Sequence, residues 1–140
     1  MDTDRAPQSR VWQALTRAEE FGAWFEVKLD GAFTPGAHVV GTVDSKRYGQ
    51  LTVDFMVERL EPERLFSYRW HPNPVGKDDF SKEPTTLVEF RLSEVPGGTR
   101  LTVIESGFDK LPPERRADSF RSNDAGWAEQ MKRIERYVDK

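Results

Sequence analysis

The sequence predicts an α+β fold in which one antiparallel β-sheet wraps a long C-terminal helix. Three observations carry this. Between residues 38 and 106 the chain alternates apolar and polar residues with a period of two, in five runs bounded by Pro, Gly or charged turns. No helical pattern separates consecutive runs, so neighbouring strands are joined as in hairpins rather than by helical crossovers. After Pro112-Pro113 the apolar residues change to 3-and-4 spacing and keep it to the end.

Each element has a local reason. Pro7 suits a first helical turn, because its missing N–H is one that turn leaves unbonded anyway, and Val11, Trp12 and Leu15 then recur at helical spacing until Thr16 interrupts. A second short helix, Arg17 to Trp24, brings Phe21, Trp24 and Phe25 close to one face, and Gly31, Pro35 and Gly36 stop any continuation. His38 to Asp44 and Leu51 to Leu60 alternate as strands, the second with Leu51, Val53, Phe55 and Val57 on one side. The turn Glu61 to Arg64 leads into Leu65 to Trp70, whose Phe66, Tyr68 and Trp70 form an aromatic side opposite Ser67 and Arg69. His71 to Pro84, with three prolines and Gly76, reads as a long loop of the kind that borders sites. Thr85 to Val95 and Thr99 to Ser106 alternate again around the hairpin signal Pro96-Gly97-Gly98. The final helix, of about seven turns, carries Phe120, Trp127, Met131, Ile134 and Val138 on one stripe, expected to pack on the concave face of the sheet. Gly126 inside it costs roughly 1 kcal/mol against alanine and suggests a close approach to the sheet or a bend. Residues 1 to 6 make at most a short or truncated first strand, because Asp2, Asp4 and Arg5 are poor strand formers.

The whole of 1–140 is expected to form one domain, long enough to stabilise a single core without disulfide or metal. With 21 Lys plus Arg against 24 Asp plus Glu the net charge is −3, and both signs are scattered, which favours neither nucleic acid nor an anionic membrane as partner. The absence of cysteine excludes disulfides, thiolate zinc sites, cysteine-held clusters and thiol nucleophiles, and fits a cytoplasmic location. No run approaches the roughly 20 apolar residues of a membrane span. A monomer or weak dimer is expected.

Five blocks in order, Val11-Trp12-Gln13-Ala14-Leu15-Thr16, Glu20-Phe21-Gly22-Ala23-Trp24-Phe25, Glu61-Pro62-Glu63-Arg64-Leu65, Glu105-Ser106-Gly107-Phe108, and Asn123 followed by Gly126-Trp127, resemble the bacterial homologues of the activators of heat-shock protein 90 ATPase. These AHSA-like proteins belong to the START-like, SRPBCC helix-grip superfamily. The resemblance implies a curved sheet gripping the C-terminal helix, with a hydrophobic cavity between them that holds lipids, hormones or aromatic polyketides in some members. Its name carries an association with the stress response. Some relatives bear the name of a vanillate demethylase reductase, yet this chain has neither cysteine for a [2Fe–2S] cluster nor a G-x-G-x-x-G turn for a dinucleotide. No cofactor is expected.

Catalytic constellations are sparse. His38 and His71 stand alone, far from any H-E-x-x-H spacing, and neither a G-x-S-x-G elbow nor a phosphate-binding glycine loop is present, so neither a metal site nor hydrolase chemistry has a signal. Glu105 is the charged residue of most interest, because alternation sets it on the same face as Leu101 and Val103. It is either a ligand or catalytic group in an apolar cavity or a structural carboxylate satisfied by a backbone donor or by an arginine such as Arg69. His71 ends the aromatic strand at the mouth of the long loop, and Asn123 lies one helical turn before Trp127. Trp24, Phe25, Phe55, Trp70, Phe90, Phe108 and Trp127 supply apolar walls or plain core.

The candidate ligand site is therefore Trp127, Trp70, Phe55, Phe90 and Met131 with Glu105, Asn123 and His71 as its polar groups. The leading function is binding of a hydrophobic or aromatic small molecule. The alternatives are a chaperone-related protein-interaction module and a small-molecule enzyme using Glu105 or His71.

Overall fold

A computed structural model describes residues 2–3, 6–45, 49–71, 84–111 and 113–138. In chain order the elements are β1 (Asp2–Thr3), α1 (Gln8–Thr16), α2 (Ala18–Phe25), β2 (Lys28–Leu29), β3 (His38–Ser45), β4 (Gly49–Glu61), β5 (Leu65–Trp70), β6 (Thr86–Val95), β7 (Gly98–Ser106), a 3₁₀ turn (Phe108–Lys110) and α3 (Pro113–Val138). All strands join one seven-stranded antiparallel sheet in the order β1-β7-β6-β5-β4-β3-β2. The fold is the α+β helix grip, with the curved sheet closed around α3. The loop expected over His71 to Pro84 lies outside the described residues at 72–83, as does Pro112.

The two ends of the sheet were the hardest to foresee. Asp2 and Thr3 do pair with Arg100 and Thr99, so β1 exists although it is only two residues long. β2 is equally short, Lys28 and Leu29 facing Thr42 and Gly41, and two residues leave no period to read. In β4 the pairing shifts between Val57 and Arg59. That bulge sends Glu58 and Arg59 both outward and returns Leu60 to the inner side opposite Phe66.

The concave face is filled by aromatic rings. Phe55, Phe66, Tyr68 and Phe90 are fully buried, and α2 adds Phe21 and Trp24 at the end of the sheet. Phe21 stacks on Phe25 at 4.9 Å and meets Phe33 and Phe55 edge-on at 5.3 and 5.7 Å. The indole N–H of Trp24 donates to the Ala14 carbonyl at 2.8 Å, which locks α2 against α1. Glu20 in turn accepts from Arg10 of α1 and, at 3.2 Å, from the Tyr137 hydroxyl of α3, so one carboxylate knits three helices.

On α3, Trp127, Met131, Ile134 and Val138 are buried as the spacing requires, but Phe120 is 53 % exposed. At that level the helix faces the 3₁₀ turn instead of the sheet, and Phe120 meets only the edge of Phe108, at 5.4 Å, among the ring contacts of the described residues. The close approach expected at Gly126 is also absent: a Cβ built there meets nothing within 4 Å, and the residue is exposed. Arg133 reaches Glu26 at 2.9 Å and ties α3 to the left-handed cap of α2. The glycine that does mediate a close approach is Gly41, where a Cβ would lie 2.6 Å from Val27 Cγ2 and 3.1 Å from both Leu29 Cδ2 and Phe55 Cε2.

The two glycines predict opposite outcomes. Gly126→Ala removes a backbone-entropy cost with space to spare and should raise stability by about 0.5–1 kcal/mol. Gly41→Ala overpacks the seam between β2 and β4 and should lower it by about 1–3 kcal/mol. Urea unfolding of the two variants beside the parent checks both signs.

Candidate functional site

Alternation along β7 turns Leu101, Val103 and Glu105 inward, and the pairing places Glu105 beside Val88 of β6, which in turn faces Tyr68 of β5. Trp70 and Thr86 are direct neighbours one pair further along the same face. The Glu105 carboxylate collects donors from three elements. Trp70 Nε1 donates to Oε2 at 2.8 Å, Thr86 Oγ1 also donates to Oε2, and Trp127 Nε1 of α3 donates to Oε1 at 2.8 Å. The two indoles lie nearly parallel, 27° apart with centroids at 5.6 Å, so the carboxylate bridges a stacked pair across the sheet–helix gap. Indole N–H groups can only donate, and a carboxylate can only accept, so the three contacts have a single possible polarity.

The Glu105 carboxylate is held by two indoles and a threonine hydroxyl, and Arg69, the arginine named as its possible partner from the sequence, is engaged elsewhere. Arg69 points to the opposite face and donates to Glu58 at 2.7 Å. Thr86 shares the inward face of Val88 and Phe90, and its hydroxyl was not among the polar groups singled out from the sequence. Next to this bridge the Tyr68 hydroxyl is fully buried and has no hydrogen-bond partner among the described residues. Burial first, and the Glu105 charge second, push its ionisation well above the usual tyrosine range.

A pocket of about 290 Å³ opens beside the bridge, between β7, the 3₁₀ turn and α3. Val103, Phe108, Phe120, Trp127, Ala128 and Met131 are its apolar walls, and Glu105 is its charged member. Of the candidates from the sequence, Trp127, Glu105 and Met131 come together there. Phe55 and Phe90 do not. They are fully buried in the ring cluster, Phe55 at 5.0 Å from Tyr68 and Phe90 at 5.5 Å from Trp127. Trp70 stands behind Trp127 and reaches the site through Glu105. His71 follows β5 half-buried and is not part of the pocket wall. Asn123 belongs to α3, and its side chain lies outside the described residues.

Val103 and Phe108 carried a signal in inward alternation and aromatic character. Phe120 was assigned to the core, and Ala128 had no signal beyond adjacency to Trp127. Among the described residues no three His, Asp or Glu side chains converge as a metal would need. His38 pairs with Asp54 at 3.2 Å on an exposed part of the sheet. Among the described residues, no helix is long and apolar enough to cross a membrane.

The bridge makes a direct prediction. Glu105→Gln replaces one acceptor oxygen by an NH₂ that must face either an indole or a hydroxyl donor, so it should cost about 2 kcal/mol or more. The melting temperature should fall, and the near-ultraviolet circular dichroism of the two indoles should change with it. A variant as stable as the parent would show that the bridge does not hold helix to sheet.

Comparison with known proteins bears on the fold and the family. No curated protein matches the sequence significantly. Among solved structures, protein MLL2253 from Mesorhizobium loti shares 25% identity over 96% of this chain and 90% of its own, with a TM-score of 0.74. DynU16, a protein in the dynemicin biosynthetic locus, shares 28% identity over 96% of this chain but only 44% of its own length, with a TM-score of 0.71. A protein from Arthrobacter aurescens, at 14% identity, has the same fold with a TM-score of 0.79 over 99% of this chain and 83% of its own. The family model described as activator of Hsp90 ATPase homolog 1-like protein matches residues 5–139, and the chain therefore belongs to that family, within the START-like superfamily.

Proposed function

We propose that the chain is a binding module for a hydrophobic or aromatic small molecule, held in the pocket between β7, the 3₁₀ turn and α3. The observation that carries the reading is the composition of that pocket: six apolar side chains, three of them aromatic, around one carboxylate. Apolar walls supply affinity, and a sparse polar group supplies orientation, which is how small-molecule sites are usually built. Phe120 adds to the case. An aromatic ring 53 % exposed on a helix is a solvation cost in the free protein, and a ligand seated against Phe108 and Trp127 would cover it.

Two further points favour binding over the alternatives. Among the described residues the other exposed large hydrophobics, Val40 and Ile104, lie on β3 and β7, with β4, β5 and β6 between them, so these residues form no common patch for a protein partner. The Glu105 oxygens already engage Trp70, Thr86 and Trp127, and proton transfer through them would disturb the contact that seats α3. DynU16, which shares 28% identity, is described from a biosynthetic locus, a setting in which a small-molecule carrier or processing module has a place.

The test is a panel of two- and three-ring apolar compounds titrated by calorimetry. Ala128→Trp should fill the pocket from an exposed helix position, leaving the melting temperature within a degree or two while weakening binding at least tenfold. Phe120→Ala should weaken it by about 1–2 kcal/mol through lost ring contact. Binding that survives Ala128→Trp unchanged would move the site elsewhere, and a panel with no binder would end the reading.

A further inference from the structure

The polarity of the pocket is one-sided. Among its described lining residues Glu105 is charged and neither Lys nor Arg takes part, so the wall carries a negative charge. The donors from Trp70, Thr86 and Trp127 are neutral groups, which fix the direction of the carboxylate without cancelling its charge.

The rings suit the same sign of charge. Phe108 and Phe120 stand at 81° to one another with centroids 5.4 Å apart, so the corner between them presents a face of each, and Trp127 belongs to the same wall. A ring face carries the negative part of its quadrupole and attracts a cation held within about 6 Å of the centroid, most strongly over tryptophan. The Trp127 N–H donates to a carboxylate oxygen at 2.8 Å, and donation to an anion shifts electron density into the indole, making its face a better partner for positive charge. Val103, Ala128 and Met131 complete the wall with apolar surface. A compact, strongly hydrated ammonium loses much on entering such a wall, whereas a cation whose charge is surrounded by carbon loses little.

We infer that the pocket selects aromatic compounds carrying a quaternary ammonium or a ring-borne positive charge, with Glu105 as the counter-charge and Phe108, Phe120 and Trp127 as the cage. The inference rests on the pocket reading above and narrows it from ring compounds in general to ring cations. Such a cation has no N–H, so it leaves the Glu105 oxygens to Trp70, Thr86 and Trp127, and the contact that seats α3 stays intact while charge attracts charge across the pocket. Anionic ring compounds meet repulsion from the same group.

The experiment compares benzyltrimethylammonium with neopentylbenzene, which share a shape and differ by a charged nitrogen in place of a carbon, and with the anion phenylacetate. The parent should bind the cation about tenfold or more tighter than its neutral isostere, and phenylacetate more weakly than either. Glu105→Gln should reduce the cation's advantage to about threefold or less. Because that change also loosens α3, a double variant, Phe108→Leu with Phe120→Leu, gives an independent reading: it keeps apolar bulk but removes two ring faces, and should cut the advantage about threefold with neopentylbenzene affinity kept. Phosphocholine, in which the same ammonium is joined to an anionic phosphate, should bind more weakly than benzyltrimethylammonium. Equal affinity for the isosteric pair, or phenylacetate bound as tightly as the cation, overturns the inference and leaves an apolar pocket standing. An unchanged advantage in either variant overturns it as well, since the named charge or rings would not be its source. Cation binding that survives Ala128→Trp overturns it by placing the site elsewhere, and phosphocholine bound as tightly as the ring cation replaces it with a lipid headgroup. If the cation fails to bind while neutral ring compounds do, the inference falls alone; if nothing binds, the pocket reading falls with it.

Discussion

The carboxylate of Glu105 is the point at which sheet and helix are fastened, and the rest of the interior is arranged around it. A curved sheet lined with rings offers α3 a surface that is apolar but directionless, and apolar contact alone does not set the rotation or the height of a helix. The bridge from Trp70 and Thr86 through Glu105 to Trp127 supplies that direction, because each indole N–H must aim at an oxygen. Below Trp127 the helix is then carried by Met131, Ile134 and Val138 in the core, and its sides are tied by Arg133 to Glu26 and by Tyr137 to Glu20.

The position of the pocket follows from the same fastening. Below the bridge α3 presses on buried side chains, while above it the helix passes over the 3₁₀ turn, where Phe108 and Phe120 meet edge-on and leave space between them and Val103. A straight helix against a curved sheet cannot touch along its whole length. The ring cluster takes up the gap at the middle, which is why Phe55 and Phe90 are core, and the remaining gap appears towards the beginning of the helix.

Much of this was legible in the sequence because it is written in long periods. The strands from His38 to Ser106, the inward side of Glu105 and the buried stripe Trp127, Met131, Ile134 and Val138 all rest on five or more residues of consistent alternation or helical spacing. What escaped had no such run behind it. β2 has two residues, and the bulge at Val57 and Arg59 reverses the phase locally. Phe120 keeps the helical spacing of the core residues yet sits where the sheet has ended, and a one-dimensional period holds no information about where its partner stops. Gly126 and Gly41 show the complementary error: a glycine in a helix looked meaningful and has open space around it, while a glycine in a strand passed unnoticed and admits three side chains.

Family membership sets the fold and leaves the chemistry to the particular side chains, since one scaffold can hold many sites. Here the chemistry is unusually specific for so apolar an interior. Two indole N–H groups and a threonine hydroxyl find an acceptor in the one carboxylate, while the Tyr68 hydroxyl, in the same cross-strand row, has no partner among the described residues. A core selected for stability alone would place phenylalanine there or give the hydroxyl an acceptor, because an unmatched buried donor works against folding. Local inconsistencies of this kind are expected where a fold has been adapted to something beyond its own stability. In this chain the inconsistency lies behind Trp70 and Phe90, the rings on which the pocket-wall residue Trp127 packs.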